Sequence, residues 1–134
     1  MIMDDIFVGR LMSSPVESVS PETPIEQAAR TMLDRDIGSL VVVDDTDLVG
    51  ILTTTDYVHV AADNAETATA TVADYMSTDI VTATANDSIS EVAETMVDNG
   101  FHHLPVVDDE AGVVGMLTTA DLTAYLSHAV PQLP

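Results

Sequence analysis

The chain carries the same stretch of about 45 residues twice. Residues 12–56 align with residues 76–121 at an offset of 64, which becomes 65 after one inserted residue in the second acidic turn. Eighteen of the aligned positions are identical. Each copy alone would bury little surface, because a unit of about 50 residues has a small core. The duplication therefore predicts two similar units that share one interface around a pseudo-two-fold axis.

Each copy is predicted to fold as a β-α-β-β-α unit, which gives an α/β (α+β) chain. Apolar residues follow the i, i+3, i+4 spacing of one helix face, beginning at Ile25 and at Ile89. Thr23 is predicted to cap the first of these helices, with Pro24 at its first position, and Asp87 to begin the second. The predicted strands are 16–19, 40–43, 48–52, 80–83, 104–107 and 113–117, and the predicted second helices are 56–62 and 121–128.

Each copy ends in the pattern Gly-φ-φ-Thr-x-x-Asp, where φ is an apolar residue. The pattern occupies residues 50–56 and 115–121, in each case where a strand runs into a helix. Unpaired amides and the dipole at a helix start favour an anion, and a carboxylate three residues after the threonine can accept hydrogen bonds from a ribose diol. The alternative is a plain helix start, with Thr53 or Thr118 as the N-cap and Asp56 or Asp121 three positions later.

The duplicated pattern resembles the cystathionine-β-synthase (CBS) domain. The family's Pro-Val-Val-Asp strand is present as residues 105–108, and residues 41–44 have valine in place of the proline. The resemblance covers almost the whole chain, and the predicted organisation is repeat 1 (8–62), a linker (63–71) and repeat 2 (72–128). It implies a regulatory module that binds an adenosine-containing ligand in clefts between the two repeats, and it implies no enzyme activity.

The resemblance also implies which residues contact that ligand in each cleft. In the cleft of Asp121 they are Thr118, Ala120, Met116, His103 and His102 from the second repeat, and Thr23, Ala28, Ile37 and Gly38 from the first. In the cleft of Asp56 they are Thr53, Thr55 and Ile51 from the first repeat, and Asp87, Val92, Phe101 and His102 from the second.

The two predicted clefts differ in their charge. The cleft of Asp56 has Gly38 and Ser39 where the cleft of Asp121 has His102 and His103. It also has Asp87 where the cleft of Asp121 has Thr23. An additional carboxylate without a basic partner suits a phosphate poorly. We therefore expect the cleft of Asp121 to be the principal site.

The charge balance excludes several classes of partner. The chain has 23 acidic residues, three arginines and no lysine, for a formal net charge of −20, and such a surface repels nucleic acid.

No apolar run reaches the length of a membrane span, and the N-terminus lacks the basic residues of a signal peptide. With no cysteine and no His-x-x-x-His spacing, no transition-metal site is predicted. The expected location is the cytoplasm of a salt-adapted, haloarchaeal-like organism.

The ligand remains open among AMP, ADP, ATP, S-adenosylmethionine and NAD, since all of them contain adenosine. AMP is favoured because each further phosphate brings negative charge into an acidic molecule with few basic groups. No phosphate-binding loop with lysine, dinucleotide fingerprint or serine nucleophile motif is present. The resemblance further implies a homodimer, through the helices after Thr55 and Ala120, and an effector protein of unknown identity. The alternative is an interaction scaffold that binds no nucleotide.

The acidic composition predicts that stability depends on salt. Dilution removes the counterions that screen repulsion between carboxylates, since the Debye length grows from roughly 3 Å at 1 M to about 30 Å at 0.01 M. We expect the melting temperature, measured by circular dichroism, to be lower in dilute KCl than in molar KCl. A melting curve that is the same at both concentrations would contradict salt adaptation and leave the fold prediction untouched.

Overall fold

A computed structural model describes residues 6–129 of the chain. In chain order its elements are α1 (Val8–Leu11), β1 (Ser18–Val19), α2 (Ile25–Arg35), β2 (Ser39–Asp44), β3 (Asp47–Thr53), α3 (Thr54–Ala62), α4 (Val72–Tyr75), α5 (Ile89–Asn99), β4 (His103–Asp108), β5 (Gly112–Thr118) and α6 (Thr119–Ala129).

The chain forms two compact units. Within the described residues, unit 1 comprises 6–16 and 81–129, and unit 2 comprises 17–80. The first few residues of each copy, together with the short helix before them, therefore belong to the unit built from the rest of the other copy. Residues 8–16, with α1, join the elements of the second copy, and residues 72–80, with α4, join those of the first.

Unit 2 contains a three-stranded sheet in the order β1-β2-β3. Strand β1 is parallel to β2, and β2 is antiparallel to β3. Its core consists mainly of aliphatic side chains from α2, the sheet, α3 and α4. The hydroxyl of Tyr57 on α3 donates to the carbonyl of Ile25 at 2.8 Å, which holds α3 against the start of α2.

Unit 1 has the corresponding arrangement around an antiparallel pair, β4 and β5. The strand predicted over 80–83 is reduced to one parallel bridge between Ala83 and Val106. Apolar side chains of α5, β4 and β5 pack with Val8 of α1 to form the core. The predicted β-α-β-β-α order is thus recovered in both units, with a much shorter first strand.

The prediction that Thr23 and Asp87 cap the first long helix of each copy is wrong. The N-cap of α2 is Pro24, and the Thr23 hydroxyl instead lies 3.1 Å from that of Ser20. The first amides of α2 donate to carbonyls of the predicted linker, Ile25 to Ala70 at 2.9 Å and Glu26 at 3.1 Å to a second carbonyl in the same segment. This segment satisfies helix-start donors that a capping side chain would otherwise satisfy.

In unit 1 the N-cap of α5 is Ser88, whose hydroxyl accepts from the amide of Glu91 at 3.2 Å. Asp87 lies one residue earlier, and its carboxylate accepts from the amide of Thr84 at 2.9 Å. Asp87 therefore stabilises the turn before the helix.

Two glycines allow a chain segment to cross the last strand of each unit closely. A Cβ at Gly115 of β5 would lie 2.5 Å from the sulfur of Met12, and a Cβ at Gly50 of β3 would lie 2.6 Å from that of Met76. Both distances are shorter than van der Waals contact allows. An alanine at either position would force the methionine side chain to move, so the glycine that begins each Gly-φ-φ-Thr-x-x-Asp pattern allows this close packing.

No helix within residues 6–129 is long and apolar enough to cross a membrane.

Candidate functional site

In unit 1 the pattern forms a hydrogen-bonded frame at the junction of β5 and α6. The amide of Thr118 donates to Oδ2 of Asp121 at 2.9 Å, and the amide of Asp121 donates to the Thr118 hydroxyl oxygen at 3.1 Å. This is a reciprocal helix cap. The Thr118 hydroxyl accepts in this arrangement, so its own proton remains available to a ligand.

The first amides of α6 are only partly satisfied. The amide of Thr119 donates to the carbonyl of His102 at 3.0 Å, and that of Asp121 is held by Thr118. Between them, the amide of Ala120 has no acceptor among residues 6–129. A free amide at the start of an 11-residue helix is suited to an anionic oxygen.

His103 lies on β4, directly opposite Thr118 of the neighbouring strand β5. Its side chain is partly buried, whereas that of His102 is exposed. Burial lowers the pKa of His103 below its usual value, the neighbouring His102 lowers it further, and the negative charge of Asp121 opposes the change. The imidazole beside the frame is therefore neutral at pH 7 and gains a positive charge only in more acidic solution.

Unit 2 carries the same frame at the junction of β3 and α3, but with a more enclosed carboxylate. Asp56 is only 8% exposed. Its Oδ2 accepts from the Thr53 amide at 2.8 Å, and the Thr53 hydroxyl lies 3.5 Å from the same oxygen. Burial raises the pKa of Asp56 despite these bonds. The cross-strand neighbour of Thr53 is the buried Ser39.

The remaining predicted site residues are divided between the units. In unit 1, Met116 is buried in β5, Phe101 is partly buried against the core, and Asp87 holds the turn before α5. In unit 2, Thr55 is exposed near the start of α3, Ile51 is buried in β3, Ile37 packs against the core, and the carbonyl of Gly38 accepts from the first amide of α3.

Two predicted adenine neighbours in unit 2 have structural roles of their own. Ala28 is fully buried in the core, so its side chain offers no surface to a ligand. The carbonyl of Thr23 accepts from the amide of Val72 at 2.9 Å, which holds α4 to the start of α2.

One polar neighbour of the Asp121 frame was missed by sequence reasoning. The hydroxyl of Ser13 lies 3.4 Å from Oδ1 of Asp121. Ser13 lies at the start of the first copy, 108 positions from Asp121. The available signal was the identical Met-Ser pair at 12–13 and 76–77, at the start of each copy.

Residues 8–63 and 72–128 each match the model of the CBS domain. Among curated proteins, the chain is 39% identical over 107 residues to inosine-5'-monophosphate dehydrogenase of Thermoplasma acidophilum, which covers 80% of this chain but only 21% of that enzyme. It is 32% identical over 120 residues to an uncharacterized 17.7 kDa protein of Acidianus ambivalens, covering 89% of this chain and 72% of that protein.

A solved structure of the CBS domain pair of protein MJ0100, in complex with 5'-methylthioadenosine and S-adenosyl-L-methionine, is similar with a TM-score of 0.85 and 28% identity. The match covers 92% of this chain and 98% of that one. An uncharacterized conserved protein from Pyrococcus horikoshii has a TM-score of 0.83 at 29% identity, with 100% and 98% of the two chains covered.

Proposed function

Because the chain belongs to the CBS-domain family, we propose that it is a regulatory module that binds an adenosine-containing ligand at the Thr118–Asp121 frame of unit 1. The observation that carries the proposal is the frame itself, which holds one carboxylate oxygen and leaves the other oxygen, a hydroxyl proton and an amide for a ligand. The MJ0100 pair, whose structure contains adenosine derivatives, supports the choice of ligand class.

We propose unequal roles for the two frames. Asp121 is only partly buried, whereas Asp56 is enclosed, and burial raises its pKa. The frame of Asp121 is therefore the principal site, and that of Asp56 is weaker or empty.

AMP is the proposed ligand among nucleotides. Two of the three arginines face carboxylates, Arg30 at 4.0 Å from Glu26 and Arg35 at 3.6 Å from Glu17. Few cations are thus left to neutralise a di- or triphosphate. S-Adenosylmethionine is the second candidate, because its positive sulfonium suits an acidic molecule and because it is present in the MJ0100 complex.

Substitution of the two aspartates tests the assignment. Loss of a ribose–carboxylate interaction costs on the order of 1.5–3 kcal/mol, roughly 10- to 150-fold in affinity. Asp121→Ala is expected to weaken AMP binding by that factor in calorimetric titration, and Asp56→Ala to leave the tighter binding event nearly unchanged. Circular dichroism should show both variants folded, since each loses only a helix cap worth about 1 kcal/mol. Equal losses would mean equivalent sites, and unchanged binding in both would favour a scaffold without nucleotide.

The position of His103 predicts that AMP binding depends on pH. As the pH falls from 7.5 toward 5.5, protonation of His103 adds a positive donor beside the frame, and AMP affinity should rise by roughly tenfold relative to His103→Gln. Wild type and His103→Gln are both titrated with AMP, so the effect of protonating the AMP phosphate is the same for both proteins and cancels in the comparison. His102→Gln is the matched control: it keeps His103 and should therefore keep the pH dependence, moved toward higher pH because a neighbour that lowers the pKa of His103 is removed. Identical pH profiles for wild type and His103→Gln would exclude His103 as a phosphate contact.

We also propose that the module is a homodimer through α3 and α6. Both helices expose apolar side chains, with Val58 67% exposed and Leu126 38% exposed. Sedimentation equilibrium in molar KCl should give about twice the chain mass of 14.2 kDa, and Val58→Glu should shift the distribution toward the monomer because a charge would be buried at the contact. A mass of one chain at all concentrations would contradict the dimer.

A further inference from the structure

Ser13 lies beside the ligand-facing oxygen of Asp121. The Ser13 hydroxyl is 3.4 Å from Oδ1, the carboxylate oxygen that Thr118 does not use. This separation is longer than the usual 2.7–2.8 Å of a hydroxyl–carboxylate hydrogen bond. The hydroxyl is exposed and only weakly engaged, so a ligand can take its hydrogen-bonding capacity.

The backbone around Ser13 is fixed by the same strand that carries the frame. The Ser13 amide donates to the carbonyl of Met116 at 2.9 Å, and the Met116 amide donates back to Ser13 at 3.0 Å. Next to this bridge, Gly115 leaves room for the side chain of Met12. This bridge fixes the backbone of Ser13 opposite Met116, two residues before Thr118 on the same strand. Ser13 therefore lies on a strand edge and not on a free loop.

We propose that Ser13 is a specificity residue that binds the ribose diol of the ligand together with Oδ1 of Asp121. The inference rests on the proposed function and adds to it the selection of a vicinal diol. Oδ1 accepts from one ribose hydroxyl, and the Ser13 hydroxyl exchanges a hydrogen bond with the other. Both bonds leave the Thr118–Asp121 cap intact, because the cap uses only Oδ2.

Unit 2 provides a matched control in Ser77. Its amide donates to the carbonyl of Ile51 at 2.9 Å and its carbonyl accepts from the Ile51 amide at 3.0 Å, so it has the same place at the strand edge as Ser13. Within the described part of the chain, however, no hydrogen bond joins Ser77 to Asp56, whose carboxylate bonds come from Thr53. Ser77 shares the structural role and lacks the contact with the carboxylate.

The experiment measures the affinities of AMP and of 2',3'-dideoxy-AMP, which lacks the diol, by calorimetry in molar KCl. Ser13→Ala should weaken AMP by about 2- to 12-fold, the effect of one hydrogen bond, and leave dideoxy-AMP within about twofold of wild type. Ser77→Ala should leave the tighter AMP binding event unchanged. Ser13→Thr, which keeps the hydroxyl at an exposed position, should restore AMP binding.

Three outcomes would overturn the inference. Unchanged AMP affinity in Ser13→Ala would mean that the hydroxyl makes no contact. Equal losses for AMP and dideoxy-AMP would mean that Ser13 acts only through the structure of the strand edge. Failure of the wild-type protein to bind AMP, 5'-methylthioadenosine or S-adenosylmethionine would overturn the proposed function itself, a result distinct from the first two.

Discussion

In both units a methionine packs closely against a glycine of the last strand. Met12 lies against Gly115 and Met76 against Gly50, at distances that leave no space for a Cβ. This contact lets the segment at the start of each sequence copy form a backbone bridge to the strand, at Ser13–Met116 in unit 1. The same strand then ends in the Thr-x-x-Asp frame. The strand that contains the glycine therefore contacts the leading segment of the unit and also ends at the frame that contains the carboxylate.

The frame combines a helix cap with a binding group without setting one against the other. In unit 1 the cap uses Oδ2 of Asp121 and the acceptor side of the Thr118 hydroxyl. The groups left for a ligand are the other carboxylate oxygen, the hydroxyl proton and the amide of Ala120. A cap contributes about 1 kcal/mol whether or not a ligand is present. The carboxylate is therefore oriented before binding, so the protein side chain loses less conformational entropy when a ligand binds.

Sequence periodicity and the repeated Thr-x-x-Asp pattern were sufficient to predict the β-α-β-β-α order and the position of both frames, because these are local features that occur twice. They did not predict the short helices α1 and α4. They were also not sufficient to predict which unit each leading segment joins. That choice depends on backbone bonds between residues distant in sequence, such as Ser13 to Met116, and backbone groups are the same in every residue. The error at Thr23 has the same origin, since carbonyls of the predicted linker occupy the amides that a capping side chain would take. Ser13 was missed because its functional neighbour is 108 positions away.

The two frames differ in the residue opposite the threonine and in the exposure of the carboxylate. Opposite Thr53 stands Ser39, which is small and buried, and the carboxylate of Asp56 beside it is enclosed. Opposite Thr118 stands His103, which brings an ionisable ring, and the carboxylate of Asp121 remains partly open. In a chain of net charge −20, each frame has a histidine close enough to affect its carboxylate, His59 for Asp56 and His103 for Asp121. His103 differs in that it stands directly opposite the threonine of its frame. The two frames thus share their hydrogen-bonded geometry and differ in the burial of the carboxylate and in the residue opposite the threonine.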